Sequence, residues 1–394
     1  MKKLLLIGIN TRSVLNSALK LNYDIYSTSY FSTSDTPSIK NQKIILNENE
    51  DESCGIFEDQ FSSENIINIS KDFLAEVDYI IPISGISPHD LDKKYQKKIL
   101  GNKNTKDIEN KFNFYNEIKD EFLTPLTFKP NDIHEATEIN KNYPDKSFIL
   151  KPLNGSGGYN IQLLNNDNYN EYNDMKMLMQ EYITGINLSS SVLASENNAK
   201  TITNSRLLTI NDYKNNNNFI YTGNIVPLTK ESILENIKGI DKLNTKMNII
   251  SEKLIKHFNL IGSNGVDYIL NENGLYVIEI NPRIQGTFEC VEQAFGINML
   301  EAHIKACKNE IINMPKAKYY SYKKIIYSPT TMKYTPINQD NIYDLPHTCS
   351  ITEKNEPLLT IIDKSKNFKK LAKKVEITTE IVNKLSRKNQ LNEE

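Results

Sequence analysis

The chain has no tryptophan, four cysteines and five histidines in 394 residues, and its 47 basic and 49 acidic side chains nearly cancel. Each scarcity excludes a class of function. Cys54, Cys290, Cys307 and Cys349 are scattered, and none forms a Cys-x-x-Cys pair, so neither a zinc knuckle nor a redox motif is supported. A disulfide framework does not suit a chain of this size, and the expectation is a reduced, cytoplasmic protein. The histidines are isolated. A net charge of −2 gives no overall pull towards nucleic acid or an anionic membrane. No apolar run approaches the roughly 20 residues that a membrane span needs. The apolar start, residues 4–9, is too short for a signal peptide and is cut off by Asn10, Thr11 and Arg12. The abundance of Asn, Lys and Ile reflects an AT-rich genome rather than chemistry.

The first hundred residues alternate between strand and helix patterns. Residues 4–9 form an apolar run broken only by Gly8, and Thr11 or Ser13 can cap a helix over 14–21. Residues 24–30, 44–46 and 77–83 read as further strands, the last closed by Ser84-Gly85. This order predicts a parallel, helix-covered sheet. The turn at Gly8 lacks the full Gly-x-Gly-x-x-Gly pattern and reads as a plain strand-to-helix turn.

Residues 108–122 have helical spacing, and 133–143 form a polar helix. A strand at 148–152 runs into Asn154-Gly155-Ser156-Gly157-Gly158. Strands follow at 175–182 and 188–194, then a polar hairpin tip at 214–218 and an amphipathic helix at 245–258. Strands 265–270 and 275–280 are joined through Asn273-Gly274, a strong hairpin signal. Residues 288–308 read as one helix. Beyond about 316, short strands at 324–327 and 358–362 lead into a lysine-rich helix. Its interspersed Glu376, Glu380, Leu371, Val375 and Ile381 mark a solvated amphipathic face, not a nucleic-acid patch.

Four groups of residues could carry chemistry. Lys151 precedes Gly155-Ser156-Gly157-Gly158, where backbone N–H groups can approach phosphate oxygens unobstructed. No Gly-Lys-Ser/Thr follows, so it is not a P-loop. Glu279 and Asn281 are two apart on a strand and share a face, and the hairpin folds Asp267 back beside Glu279. Three oxygen donors there suit Mg²⁺, whereas two facing acids without a cation would repel. Val266, Tyr268, Ile278 and Ile280 are expected on the opposite, apolar side. Arg283 follows Pro282, where it can steady transferring charge or form a surface ion pair. Gln180-Glu181-Tyr182-Ile183 can offer backbone groups to an adenine edge, although an ordinary edge strand has the same pattern.

Taken in order, these segments resemble the ATP-grasp superfamily, close to its biotin-carboxylase-like branch and to uncharacterised archaeal ATP-dependent carboligases. Glu109-Asn110-Lys111-Phe112, 40 residues before Lys151, looks like the first lysine segment. The run from Phe148 to Gly158 looks like the second lysine and its phosphate flap, and Gln180-Glu-Tyr-Ile-Thr-Gly like the adenine hinge. Most specific is Gly265-Val-Asp-Tyr followed by Glu279-Ile-Asn-Pro-Arg283, with the two acids twelve positions apart. The resemblance implies a pre-ATP-grasp α/β domain over 1–100, a two-subdomain ATP-grasp fold over 101–315 and a small C-terminal α+β domain over 316–394. It implies that Lys111 and Lys151 bind ATP phosphates under Gly155, Ser156, Gly157 and Gly158. Gln180, Glu181 and Ile183 would hold adenine. Asp267, Glu279 and Asn281 would hold Mg²⁺, with Mn²⁺ as a substitute, and Arg283 would stabilise the transferring phosphoryl group. Two positions depart from the pattern: Asn187 stands where many relatives carry a ribose-binding Glu, and Asp267 where many carry Glu.

The implied reaction is activation of a small-molecule carboxylate as an acyl-phosphate, followed by attack of an amine or thiol. It requires no protein nucleophile, consistent with the lack of a Cys–His or Ser–His constellation. An ATP- and bicarbonate-dependent carboxylase is the alternative enzyme, and an ATP-binding regulatory module the alternative outside enzymes. Nucleic acid and membrane are not expected partners; a homodimer is. Glu289 and Glu292 are expected to meet a substrate amine or Arg283, or to complement their helix dipole, and Thr287 to serve the acceptor site or cap that helix.

Overall fold

The computed structural model of the chain describes residues 1–46, 50–52, 61–153, 158, 161–164, 177–210, 219–233, 237 and 239–391. Cys54, Asn154, Gly155, Ser156 and Gly157, and the expected hairpin tip at 214–218, lie outside the described residues.

Strands β1 (Lys2–Gly8), β2 (Tyr23–Phe31), β3 (Asn41–Leu46) and β4 (Tyr79–Pro82) form a parallel sheet in the order β3-β2-β1-β4. Its central strand is buried on both faces. Leu4 and Leu6 pack into one core and Leu5 and Ile7 into another, as a continuous apolar run in a parallel sheet requires. The helix after β1, Arg12–Ala18, begins two residues before the expected start.

Strands β5 (Thr127–Phe128), β6 (Phe148–Pro152), β7 (Gln162–Leu163) and β8 (Met177–Glu181) form a small antiparallel sheet in the order β5-β8-β6-β7. The largest sheet uses β9 (Ile186–Ala194), β10 (Ala199–Thr209), β11 (Tyr221–Val226), β12 (Gly262–Asn271), β13 (Gly274–Asn281) and β14 (Tyr320–Tyr327). After the short pair β15 (Met332–Lys333) and β17 (Ile351–Thr352), it is completed by β16 (Ile342–Tyr343) and β18 (Pro357–Ser365). Its order is β13-β12-β9-β10-β11-β14-β18-β16. The strands beyond residue 316 therefore continue this sheet.

One face of the large sheet is covered by the helix Ile240–His257, whose Leu243, Met247 and Leu254 pack with Leu188, Val266 and Ile280. On the other side, Phe288, Val291 and Leu300 share a core with Leu193 and Val226 and with Leu4 and Leu6 of the parallel sheet. That shared core brings the carboxyl end of the first sheet to the large sheet. Among the described residues, no helix is long and apolar enough to cross a membrane.

Two expected helices are each divided. In 108–122, the Asn110 side chain accepts from the N–H groups of Phe112 and Asn113, capping Lys111–Ile118 and leaving Lys106–Glu109 as a separate turn. In 288–308, Gly296 takes the left-handed conformation (φ 69°) and closes Phe288–Phe295. Asn298 then caps Met299–Cys307 by accepting from the Glu301 N–H at 2.8 Å.

Candidate functional site

A cleft of about 610 Å³ lies between the small antiparallel sheet and the β12–β13 end of the large one. Lys111, Lys151, Gln180, Ile183, Asp267 and Glu279 are among its walls. The acidic wall comes from the hairpin. Asn271 pairs with Gly274, which sets Asp267 opposite Glu279 and Gly265 opposite Asn281. The register then shifts between Asp267 and Tyr268, so Tyr268 pairs with Val277 and Ile278 is the extra residue. Ile278, expected on the apolar side, instead lines the cleft for this reason.

Asp267 accepts from Ser189 Oγ at 2.6 Å and from Asn281 Nδ2 at 2.8 Å. Arg283 in turn donates to Asn281 Oδ1 at 3.2 Å. Burial, and then the neighbouring Glu279 carboxylate, push the Asp267 carboxyl well above its usual range; the Ser189 and Asn281 hydrogen bonds oppose the shift.

The basic wall faces it. Lys151 lies on β6 with 3 % exposure, and its Nζ donates to Gln180 Oε1 at 2.7 Å. Gln180 Nε2 donates to Thr127 Oγ1 at 2.9 Å, and that hydroxyl donates to Pro125 O at 2.9 Å. Burial, and then the Lys111 charge, depress Lys151 to about 7, while Glu279 opposes them. Lys111 opens the helix capped by Asn110, and its Nζ lies 3.7 Å from Glu279 Oε2. The cleft thus holds two cations side by side and two acids side by side, linked by the Lys111–Glu279 pair.

At the hinge, the Glu181 N–H donates to Leu126 O at 2.7 Å, and its carboxylate accepts from the Leu126 N–H and pairs with Lys146. Ile183 lines the cleft, and among the described residues its N–H has no protein acceptor. Asn187 lies on the same wall. Gly158 has φ +81°, and a Cβ there would sit 2.1 Å from Phe219 O, so only glycine fits.

At the far end, Ser84, Tyr221, Arg283, Gln285, Gly286 and Thr287 complete the lining. Gln285 Nε2 donates to Ser189 Oγ at 3.4 Å, and Ser191 donates to Gln285 Oε1 at 3.3 Å. A Cβ on Gly265 would overlap the Gln285 amide, so the absence of a side chain there makes room for it. Two acceptor-end expectations, that Glu289 and Glu292 meet a substrate amine or Arg283, are corrected, while Thr287 lines the acceptor end. Glu289 faces away from the cleft to Arg12 at 2.9 Å and Lys323 at 3.3 Å. Glu292 accepts from Ser17 at 2.7 Å and from the Met299 N–H at 2.8 Å, which leaves it no role with Arg283. Thr287 occupies the N-cap position of Phe288–Phe295 but makes no side-chain cap; its hydroxyl lies 3.1 Å from Ser191 Oγ.

A family model described as an ATP-grasp domain matches residues 108–287. The chain carries an ATP-grasp domain. Every candidate side chain above from Lys111 to Thr287 lies inside its span. An uncharacterised protein of Methanocaldococcus jannaschii is 29 % identical over 380 residues, covering 95 % of this chain and 91 % of its own length. The tyramine–L-glutamate ligase of the same organism is 29 % identical over 191 residues, covering 48 % of this chain and 50 % of its own. In fold, the chain is similar to N5-carboxyaminoimidazole ribonucleotide synthetase from Thermotoga maritima, with a TM-score of 0.69 at 16 % identity over 97 % of this chain and 98 % of the other. It is also similar to the biotin carboxylase domain of 2-oxoglutarate carboxylase from Hydrogenobacter thermophilus, with a TM-score of 0.66 at 15 % identity over 93 % and 86 %. The ATP-grasp fold therefore extends through the parallel sheet and the C-terminal strands, beyond the matched segment.

Within this ATP-grasp domain, the sequence pattern alone did not single out Thr127, Ser189 or Tyr221, whereas the run from Gln285 to Glu289 is expected from its place after the β13 acids to point into the acceptor site, and Gln285, Gly286 and Thr287 line the cleft there. Thr127 and Ser189 are short polar residues inside strands, where alternation marks a face but not a partner. Tyr221 opens β11, and neither β10 nor β11 carries the clear apolar alternation that reveals a strand.

Proposed function

We propose that the chain is an ATP-dependent ligase that activates a small-molecule carboxylate as an acyl-phosphate for attack by an amine or thiol. One observation carries this reading: paired cations and paired acids face each other across one cleft, each pair repelling itself without a ligand. A polyphosphate with a divalent cation supplies the missing charges to both walls.

In this reading, Lys111 and Lys151 take the phosphate oxygens, and Gly158 belongs to the flap above them. The Ile183 N–H and the Glu181 backbone hold the adenine edge, with Gln180 fixing the Lys151 ammonium, and Asn187 faces the ribose. Asp267, Glu279 and Asn281 form an all-oxygen donor set, which fits Mg²⁺ or Mn²⁺. When bound, such a cation supplies neutralisation of phosphate charge. The carboxylate oxygen attacks the γ-phosphorus, the bond to the β-bridging oxygen breaks, and ADP leaves. Arg283 lies where the transferred phosphoryl charge is shed. The amine or thiol then displaces phosphate. The tyramine–L-glutamate ligase name supports an amine as the nucleophile. A carboxylase using bicarbonate is the second reading, favoured by the names of the proteins that share the fold.

The test is a trap. Purified protein receives MgATP, hydroxylamine and a pool of small carboxylic acids. ADP and a hydroxamate, both lost in Glu279→Gln, are expected. ADP formed only on adding bicarbonate selects the carboxylase. No ADP under either condition contradicts both and leaves a regulatory module.

A further inference from the structure

Arg283 leaves the backbone immediately after a proline, and a residue outside the cleft fixes the peptide it leaves from. The Arg283 N–H donates back to Asn281 O at 2.9 Å, so the chain bends at Pro282 in a three-residue turn. Pro282 has no N–H, and its carbonyl is the group that the turn leaves to be satisfied. Asn102 satisfies it: its Nδ2 donates to Pro282 O at 2.8 Å and to Asn264 Oδ1 at 2.7 Å. Its Oδ1 accepts from the Ile261 N–H at 2.7 Å. Asn102 is 7 % exposed, and both of its amide protons and its carbonyl are engaged.

Asn102 comes from the segment that leaves the parallel sheet. Just before it, the Leu100 N–H donates to Ile80 O of β4 at 2.9 Å. His303 Nδ1 accepts from the Ser263 N–H at 2.8 Å, which leaves Nε2 to donate to Leu100 O at 3.1 Å. The fully buried Asn264 donates to Gly262 O at 3.0 Å and Ile261 O at 3.3 Å. The exit from β4, the start of β12 and the end of β13 are thus pinned together, and the peptide between Pro282 and Arg283 is held on both sides, its carbonyl by Asn102 and its N–H by Asn281. Packing does not aim the side chain in the same way. On the cleft side, Arg283 Nη2 donates to Asn281 Oδ1 at 3.2 Å. On the side of β4, Arg283 borders a cavity of about 30 Å³ whose other walls include Pro82, Ile86, Glu109 and His303. Glu109, of opposite charge, competes with the cleft for the guanidinium.

We propose that Asn102 is a positioning residue for phosphoryl transfer: it lies outside the cleft walls, and by holding Pro282 O it keeps the Arg283 guanidinium turned into the cleft. This rests on the ligase reading, in which Arg283 stabilises the transferred phosphoryl group. The junction between the parallel sheet and the ATP-grasp domain is thereby tied to the chemistry. Lys111, Lys151 and the hinge are held by other contacts, so nucleotide affinity and turnover separate.

The experiment is a double-mutant cycle on ADP formation, run with the acid that the hydroxylamine trap identifies, or with bicarbonate if only that supports ADP release. Its corners are wild type, Asn102→Ala, Arg283→Lys and the double variant, each at saturating MgATP and acid. A misaimed group costs turnover rather than binding: in Asn102→Ala kcat falls roughly 10–100-fold, while the Kd for MgATP read by calorimetry stays within about twofold. In the Arg283→Lys background the same substitution lowers kcat by less than about twofold, because the guanidinium it aims is already gone. Asn102→Ser keeps a polar group beside Ile261 and Asn264 but is too short for Pro282 O, and it carries the comparison if Asn102→Ala fails to fold. An unchanged kcat in the folded variant, or an equal factor in both backgrounds, overturns the proposal and leaves the ligase reading intact: Asn102 is then a structural clasp alone. No ADP from wild type with any acid or bicarbonate overturns both.

Discussion

Two clusters of buried charge among the described residues are built on opposite principles. In one, at the junction of the parallel sheet, the helix Phe288–Phe295 and the C-terminal segment, every charge meets its opposite. Arg12 is 1 % exposed; its Nε lies 2.7 Å from Asp344 and its Nη1 2.9 Å from Glu289, which Lys323 also meets at 3.3 Å. Burial alone would lower Arg12 and raise Asp344, but their mutual attraction reverses both, so each is held firmly ionised. In the other, the cleft, like stands beside like on each wall, and among the described residues only Lys111 and Glu279 pair across it. Lys151 sinks to about 7 through burial beside Lys111, and Asp267 rises through burial beside Glu279. Both clusters are buried, so burial does not separate them. Self-consistency does: the first is complete in the protein alone, and in the proposed reading the second is completed by a ligand carrying both signs of charge.

That contrast can be tested by breaking each cluster. The largest effect falls on the cleft. Glu279→Gln should lower ADP formation by about 10³-fold, the order expected when several kcal/mol of charge stabilisation is lost. Its unfolding midpoint should be unchanged or raised, because a repelling partner has gone. A fall in stability would mean that the acids are a structural pair.

The reverse holds for the knot. Arg12→Ala leaves Asp344 and Glu289 buried without their partner and should cost about 3–5 kcal/mol in urea unfolding. KM for MgATP of the folded enzyme should not change. A neutral effect on stability would undo the contrast.

A finer distinction is protonic. Lys151 is mostly neutral at pH 8 if it titrates near 7, and phosphate oxygens favour its charged form. Binding of ATP at pH 8 should therefore take up protons, and affinity should fall as pH rises through 7 to 9. Calorimetry in buffers of different ionisation enthalpy reads this directly, and Lys151→Met should abolish the uptake. The smallest effect is at Asp267. Its pKa is raised on folding, so the folded state binds more protons than the unfolded one just above pH 4, and stability falls as pH rises from there through the raised pKa. Asp267→Asn should remove that fall, with a gain on the order of 1 kcal/mol, a few degrees in Tm, at pH 8 in chelator.

How much of this was legible in the sequence depended on the distance between partners. The acids could be placed on one face because Asn273-Gly274 fixes the hairpin register within a dozen residues, and the structure keeps Asp267 opposite Glu279. Ile278 escaped because one extra residue in a strand leaves no mark in composition. The single helix expected over 288–308 failed at Gly296, whose left-handed conformation outweighs the apolar periodicity on either side. The fates of Glu289 and Arg12 were out of reach, since the two residues are 277 positions apart and pair only after the first sheet docks on the large one. Tyr221 was hidden by its strand, whose polar Thr222, Gly223 and Asn224 mask the buried side.

The most direct measurement is calorimetric titration of ATP into wild type and Glu279→Gln, with and without Mg²⁺. The predicted result is one site per chain, tighter with Mg²⁺ in wild type, and a Mg²⁺ dependence largely lost in Glu279→Gln. Binding that ignores both Mg²⁺ and the substitution, or no binding at all, would contradict a cleft built for nucleotide and metal together.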